Sequence, residues 1–162
     1  MRSTLLVVFL FLCCFSITIS EPIVQSTLEE VRQQFLDDIN NYRTNRGLTQ
    51  LELKYSSIAQ AHADRQAQFD RFLAHKGFDQ RADHIMDLLK QDHGKSNRLF
   101  GFVSVAENCC YFPICPEPSK KALQQFLSSP SHWRNLLKGW SYTAIGIAQG
   151  ESGHFYVCQL FF

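Results

Sequence analysis

Glu107 stands in the segment Ala106-Glu107-Asn108-Cys109-Cys110-Tyr111-Phe112-Pro113-Ile114-Cys115, beside two adjacent cysteines in an otherwise apolar run. A carboxylate in a half-buried strand needs a partner, because alone it would take up a proton and go neutral. Two histidines are candidates. His75 follows Phe72-Leu73-Ala74 and precedes Lys76-Gly77-Phe78, just past a helix end. His132 follows Ser129-Pro130, a serine cap with proline at the first helical position. There the helix macrodipole disfavours the imidazolium and keeps the ring neutral. A neutral imidazole can accept a proton or bind a metal, so His75, His132 and Glu107 together would make a zinc site with open positions.

The same three residues admit two other readings. In a protease-like hydrolase, His75 or His132 would be the general base and Glu107 its orienter. Ser129, Ser131 or a metal-bound water would attack, although the chain has neither a G-x-S-x-G elbow nor an H-E-x-x-H pair. In the second, the triad is a purely structural polar knot joining a sheet to two helices. Of the other histidines, His62 lies on an alanine-rich helix as a packing residue, and His84, His93 and His154 occupy polar or loop contexts without a role.

The compartment follows from residues 1–20. A basic start, the apolar run from Leu5 to Ile17 and small residues before Glu21 read as a signal peptide, which makes the mature chain secreted. The run is short for a bilayer span, and no later segment is a candidate. Four cysteines remain after cleavage, Cys109, Cys110, Cys115 and Cys158, an even number for an oxidising compartment. Two disulfides follow, with three possible connectivities; placing Gln159 and Glu107 on one sheet face favours Cys110–Cys158 with Cys109–Cys115. Once Arg2 is gone, basic and acidic residues balance, which gives no electrostatic case for nucleic acid or an anionic membrane.

One domain over residues 24–162 accounts for the rest, without repeats or linkers. Ser26-Thr27-Leu28-Glu29 reads as a capping box, and Leu28, Val31, Phe35, Ile39 and Tyr42 recur at helical spacing up to a cap at Gly47. A second helix from Ser56 or Ser57 carries Ala59, Ala63 and Ala67 on one face, small enough for another backbone to come close. Residues 79–91 form a third helix, a fourth starts after Ser119, and a short one opens at Pro130. Residues 99–112, 142–149 and 154–162 look extended, the last two as a hairpin around Gly150-Glu151-Ser152-Gly153. This order predicts an α+β layered domain.

Seven stretches in register give the chain a resemblance to the CAP superfamily, the SCP-domain proteins that include cysteine-rich secretory proteins, venom antigen 5 and plant pathogenesis-related proteins. They are Ile39-Asn40-Asn41-Tyr42-Arg43, Ala59-Gln60-Ala61-His62-Ala63, His75 to Arg81, Ala106-Glu107-Asn108, Ser129 to Leu137, Ile145-Gly146-Ile147-Ala148, and Tyr156 to Phe161. The resemblance implies a three-layer α–β–α sandwich with a small, mainly antiparallel sheet. It also implies a central cleft lined by His75, Glu107 and His132, in which some relatives bind zinc, with Asn108, Asn135 and Gln159 as structural motif residues. Animal and plant members usually carry a second acid in the helix before the His132 motif. Here Ser129 takes that position, Phe126 replaces the usual tryptophan, and the Ser-Pro-Ser-His-Trp-Arg-Asn-Leu-Leu form resembles the shorter bacterial-style branch. The implied function is a secreted, non-enzymatic effector or binding module, with a divalent metal in the cleft. A sterol, a fatty acid or a protein partner would be its ligand, and the aromatic loop Tyr111-Phe112-Pro113-Ile114 would suit an apolar one.

Overall fold

A computed structural model describes residues 27–93 and 104–162, so the expected signal peptide, Ser26 and the beginning of the expected strand at 99–112 lie outside the described residues. Helix α1, Leu28–Thr44, starts on a capping box one residue later than read from the sequence. The Thr27 hydroxyl accepts from the Glu30 amide, and the Glu30 carboxylate accepts from the Thr27 amide at 2.7 Å. Then come β1 (Glu52–Leu53), α2 (Ser56–Gln68), α3 (Phe78–His93), β2 (Ala106–Pro113), α4 (Pro118–Ser128), α5 (Pro130–Leu136), β3 (Tyr142–Gln149) and β4 (His154–Phe161).

The strands form one sheet in the order β1-β3-β4-β2. The β3–β4 and β4–β2 pairs are antiparallel, and β1 lies parallel to β3 at one edge. Strand β1 escapes a sequence reading because two residues show no alternation. It covers only the first part of β3, and α2 caps the remainder of that edge. The Ile145 amide donates to Ser56 Oγ, the Ile147 amide donates to Gln60 Oε1, and Gln60 Nε2 donates back to the Ile147 carbonyl at 2.9 Å. An exposed strand edge invites pairing with another chain, and side chains of a helix here occupy it instead.

Alternation along the strands sorts the core into two layers. Val31, Phe35 and Ile39 of α1, Ala122 and Phe126 of α4 and Leu136 of α5 pack on Phe112, Ile145, Ile147, Val157 and Phe161. On the other face Ile58 and Ala59 of α2 and Ile85 and Leu89 of α3 pack on Cys109, Ala144, Cys158 and Leu160. The molecule is therefore the expected α–β–α sandwich. The small residues of α2 do allow close approach: a Cβ on Gly146 of β3 would collide with the Ala59 carbonyl and the Gln60 amide.

Arg43 is among the charged side chains enclosed by this framework. Arg43, fully buried at the end of α1, donates from Nη1 to the carbonyls of Leu136 (2.7 Å) and Lys138 (2.9 Å), and from Nε to that of Thr49 (3.0 Å). It thereby satisfies carbonyls that α5 leaves open at its C-terminal end. Position and orientation of α5, and so of His132, depend on this contact.

Candidate functional site

Glu107 is the second residue of β2, an outer strand of the sheet, and its side chain turns toward the α2–α3 layer with a relative exposure of 1%. Four donors converge on it. Arg81 of α3 forks onto the carboxylate, Nε to Oε2 at 2.7 Å and Nη2 to Oε1 at 2.9 Å. His75 Nδ1–H donates to Oε1 at 3.0 Å, and the Cys158 thiol donates to Oε2 at 3.4 Å. A carboxylate has about four acceptor positions, so Glu107 is saturated. Burial by itself pushes this carboxyl up, but the His75 hydrogen bond and the Arg81 guanidinium together outweigh it and hold the group below its ordinary value.

The loop between α2 and α3 presents His75. Ala74, just before it, has φ of 48°, a left-handed conformation uncommon for a residue with a Cβ. The ring of His62 holds that strained residue in place: Nε2–H donates to the Ala74 carbonyl at 2.8 Å, while Nδ1 accepts from Arg81 Nη1 at 3.3 Å. Arg81 also donates to the Lys76 carbonyl at 3.0 Å, so one guanidinium fixes the carboxylate, the loop and the supporting histidine. Because the carboxylate can only accept, the neutral His75 ring carries its proton on Nδ1 and leaves Nε2 as an acceptor.

His132 comes from the opposite layer. Its ring centroid lies 6.0 Å from that of His75 in an edge-on arrangement and 5.3 Å from that of Phe126. Asn108 of β2 donates to the His132 carbonyl at 3.1 Å, and Asn135 of α5 donates to the Asn108 side chain at 2.9 Å. This pair ties α5 to the strand that carries Glu107. Gln159, opposite Asn108 in the register, turns instead to Thr143 Oγ1 at 3.0 Å. His132 Nδ1 is buried and finds no hydrogen-bond partner among the described residues. Burial lowers the pKa of this ring, and the neighbouring His75 adds to the effect, so it is held neutral. Both expected histidines therefore reach the Glu107 edge of the sheet, one from each layer.

Residues the sequence did not single out complete the arrangement. Arg81 stood within the His75 stretch without a role, and His62 was read as packing alone. Cys109, expected from the sequence only as a disulfide partner, also takes part: His75, Glu107 and Cys109 bring possible metal-ligand atoms within 4.8 Å of one another. Ser129 and Ser131, the nucleophile candidates of the hydrolase reading, hydrogen-bond each other at 3.1 Å.

The register corrects the cysteine pairing expected from parity. Cys158 lies opposite Cys109, and Cys110 lies opposite Val157. Cys109 and Cys158 share the α2–α3 face, and Cys110 belongs to the other core. Glu107 lies opposite Leu160 and shares no sheet face with Gln159, so the premise of that pairing does not hold. All four cysteines are free thiols in the structure. Tyr142 and Phe162 exchange both backbone hydrogen bonds. Two steps of the same parity along β4, the backbone of Cys158 therefore faces β3. Toward β2 it forms a non-hydrogen-bonded pair, with Cα atoms about 4.5 Å apart and side chains at their closest. On oxidation a Cys110→Ser variant is expected to keep a cross-link to the peptide containing Cys158, and Cys109→Ser to lose it. Non-reducing peptide mapping reads the difference.

The buried titratable groups give stability a defined pH dependence. His62, whose pKa is lowered chiefly by burial, and His132 both stay neutral in the folded protein below about pH 6.5, where the unfolded chain takes up protons. Glu107 stays ionised below about pH 4.3, where its unfolded counterpart becomes protonated. In each case the unfolded state binds more protons, so stability falls as the pH drops, first through the histidine range and then through the carboxylate range. Denaturant midpoints measured between neutral pH and pH 4 are expected to fall throughout, and His132→Gln to remove part of the upper step.

No protein-family model matches the sequence, and no curated protein matches it. Solved structures do match. An outer surface protein from Borrelia burgdorferi superposes with a TM-score of 0.59 at 15% identity, over 84% of this chain and 94% of that one. An extracellular SCP-domain protein from Bacillus anthracis gives 0.59 at 19% identity, over 88% of this chain and 44% of that one. A cysteine-rich secretory protein from Staphylococcus aureus gives 0.56 at 15% identity, over 86% and 40%. This chain thus spans less than half the length of the last two. Its fold is the CAP, or SCP-domain, fold. No helix among the described residues is long and apolar enough to cross a membrane.

Proposed function

We propose that this chain is a secreted CAP-superfamily binding module whose cleft takes up a divalent cation, zinc being the fitting one, through the imidazoles of His75 and His132. The observation that carries the reading is the carboxylate-oriented ring of His75 edge-on to a His132 ring with an unpartnered buried nitrogen. Metal-bound histidines commonly donate their second ring N–H to a carboxylate, which fixes the tautomer and makes the free nitrogen more basic. Two imidazoles on one tetrahedral zinc have centroids about 5 Å apart, given zinc–nitrogen bonds near 2.0 Å, and the 6.0 Å separation here is close to that. Glu107 holds the His75 ring and leaves the ion to the imidazoles, because Arg81, His75 and Cys158 already use its oxygens. Water would complete the coordination, Ser129 having replaced a second acid.

The hydrolase reading has less support, because Ser129 and Ser131 bond to each other and the ion-pairing Arg81 occupies the proposed orienter. For a sterol or fatty acid, Tyr111 and Ile114 remain on the surface while Phe112 enters the core. Lipid extraction of the secreted protein followed by mass spectrometry addresses that ligand.

Calorimetric titration of zinc into the protein is expected to show one ion per chain, and His75→Gln and His132→Gln are each expected to abolish it with folding intact. Uptake unaffected by both substitutions would refute the assignment.

A further inference from the structure

The loop that carries His75 also walls a second hollow, lined by neither Glu107 nor His132. Its volume is about 620 Å³, and Arg65, Arg71, Lys76 and Arg81 line it together with Phe69 and Leu73. A smaller hollow of about 360 Å³ shares Arg65 and Arg81 and continues between α2 and α3. Among the described residues no aspartate or glutamate lines either one. Arg81 is already neutralised by Glu107. Among the described residues Arg65, Arg71 and Lys76 make no ion pair, although the chain as a whole is nearly balanced in charge.

Three uncompensated cations around one concavity repel each other, and a cleft lined by one sign of charge concentrates anions. Arginine forks match the oxygen geometry of phosphate, and lysine adds a point charge. Three positive groups fit a dianion better than a single carboxylate. Phe69, 61% exposed at the same hollow, and Leu73 beside it add apolar surface with no polar duty of its own.

From this we infer that the hollow between α2, the 69–77 loop and α3 is a binding site for a phosphomonoester carrying an apolar group. Arg65, Arg71 and Lys76 take the phosphate, and Phe69 and Leu73 contact the organic part. The ligand source is either a soluble phosphomonoester or the headgroup of a phosphatidic acid, which present the same dianion. The site is separate from the His75–His132 cleft, so its test does not depend on zinc.

Two probes decide the matter, both at low ionic strength: calorimetric titration with phenyl phosphate, and co-sedimentation with phosphatidylcholine vesicles containing phosphatidic acid. At least one is expected to bind, and the arm that binds identifies the source. An Arg65→Gln/Arg71→Gln variant, altered only at exposed side chains, is expected to keep its melting temperature. It should weaken binding about tenfold or more, in line with the loss of charged hydrogen bonds. Phe69→Ala should weaken phenyl phosphate while leaving inorganic phosphate unchanged. Absence of binding to both probes, equal binding of benzoate and phenyl phosphate, or binding indifferent to the double substitution would overturn the inference.

Discussion

Glu107→Ala is expected to lower the unfolding free energy by roughly 3–5 kcal/mol, the cost of removing one partner from a buried ion pair. The loss comes from what remains: the Arg81 fork, the His75 Nδ1–H and the Cys158 thiol would all face a void. Glu107→Gln keeps the shape and one acceptor oxygen and should cost distinctly less. Denaturant unfolding measures both. The same pair separates the structural-knot reading from the metal reading. If Glu107 orients a ligating ring, zinc affinity in Glu107→Gln falls by about 10–100-fold, as for other second-layer partners of metal-bound histidines. If the triad is only a knot, stability falls with no metal uptake to lose.

Arg43→Met should be comparably damaging, at roughly 3–5 kcal/mol, because the buried carbonyl of Leu136 loses its donor and the part-buried contacts to Thr49 and Lys138 are lost with it. Arg43→Lys is expected to recover little, since a point-like ammonium cannot reproduce a fork that reaches several carbonyls at once. Loss of this contact also frees α5. We therefore expect the His132 side-chain resonances to broaden or shift in any folded Arg43 variant, although His132 itself is untouched. Thermal unfolding and NMR of the purified variant check the two halves of this expectation.

How far the sequence leads depends on whether the signal is local. Helical periodicity placed α1, α2 and α3, and two extended, apolar stretches on either side of Gly150-Glu151-Ser152-Gly153 placed the β3–β4 hairpin. The convergence of His75, Glu107 and His132 followed from the family resemblance, and the edge-on rings and the His75–Glu107 hydrogen bond agree with it. Strand β1 was too short to show a period. The cysteine pairing went wrong because a one-residue difference in register moves every side chain to the other face, and nothing in the sequence fixes the register of two distant strands. Arg81 and His62 were overlooked for a related reason. Each looks ordinary within its own helix, and only their common meeting with Glu107 and Ala74 gives them a role.

The most direct test follows the imidazole nitrogens by NMR while zinc is added at neutral pH. The account predicts that the His75 Nε2 and His132 signals respond together and saturate at one ion per chain. His75 should stay protonated on Nδ1, and the His62 signals should remain in place. Silence from both rings into the millimolar range, or a response centred on His62, would contradict it.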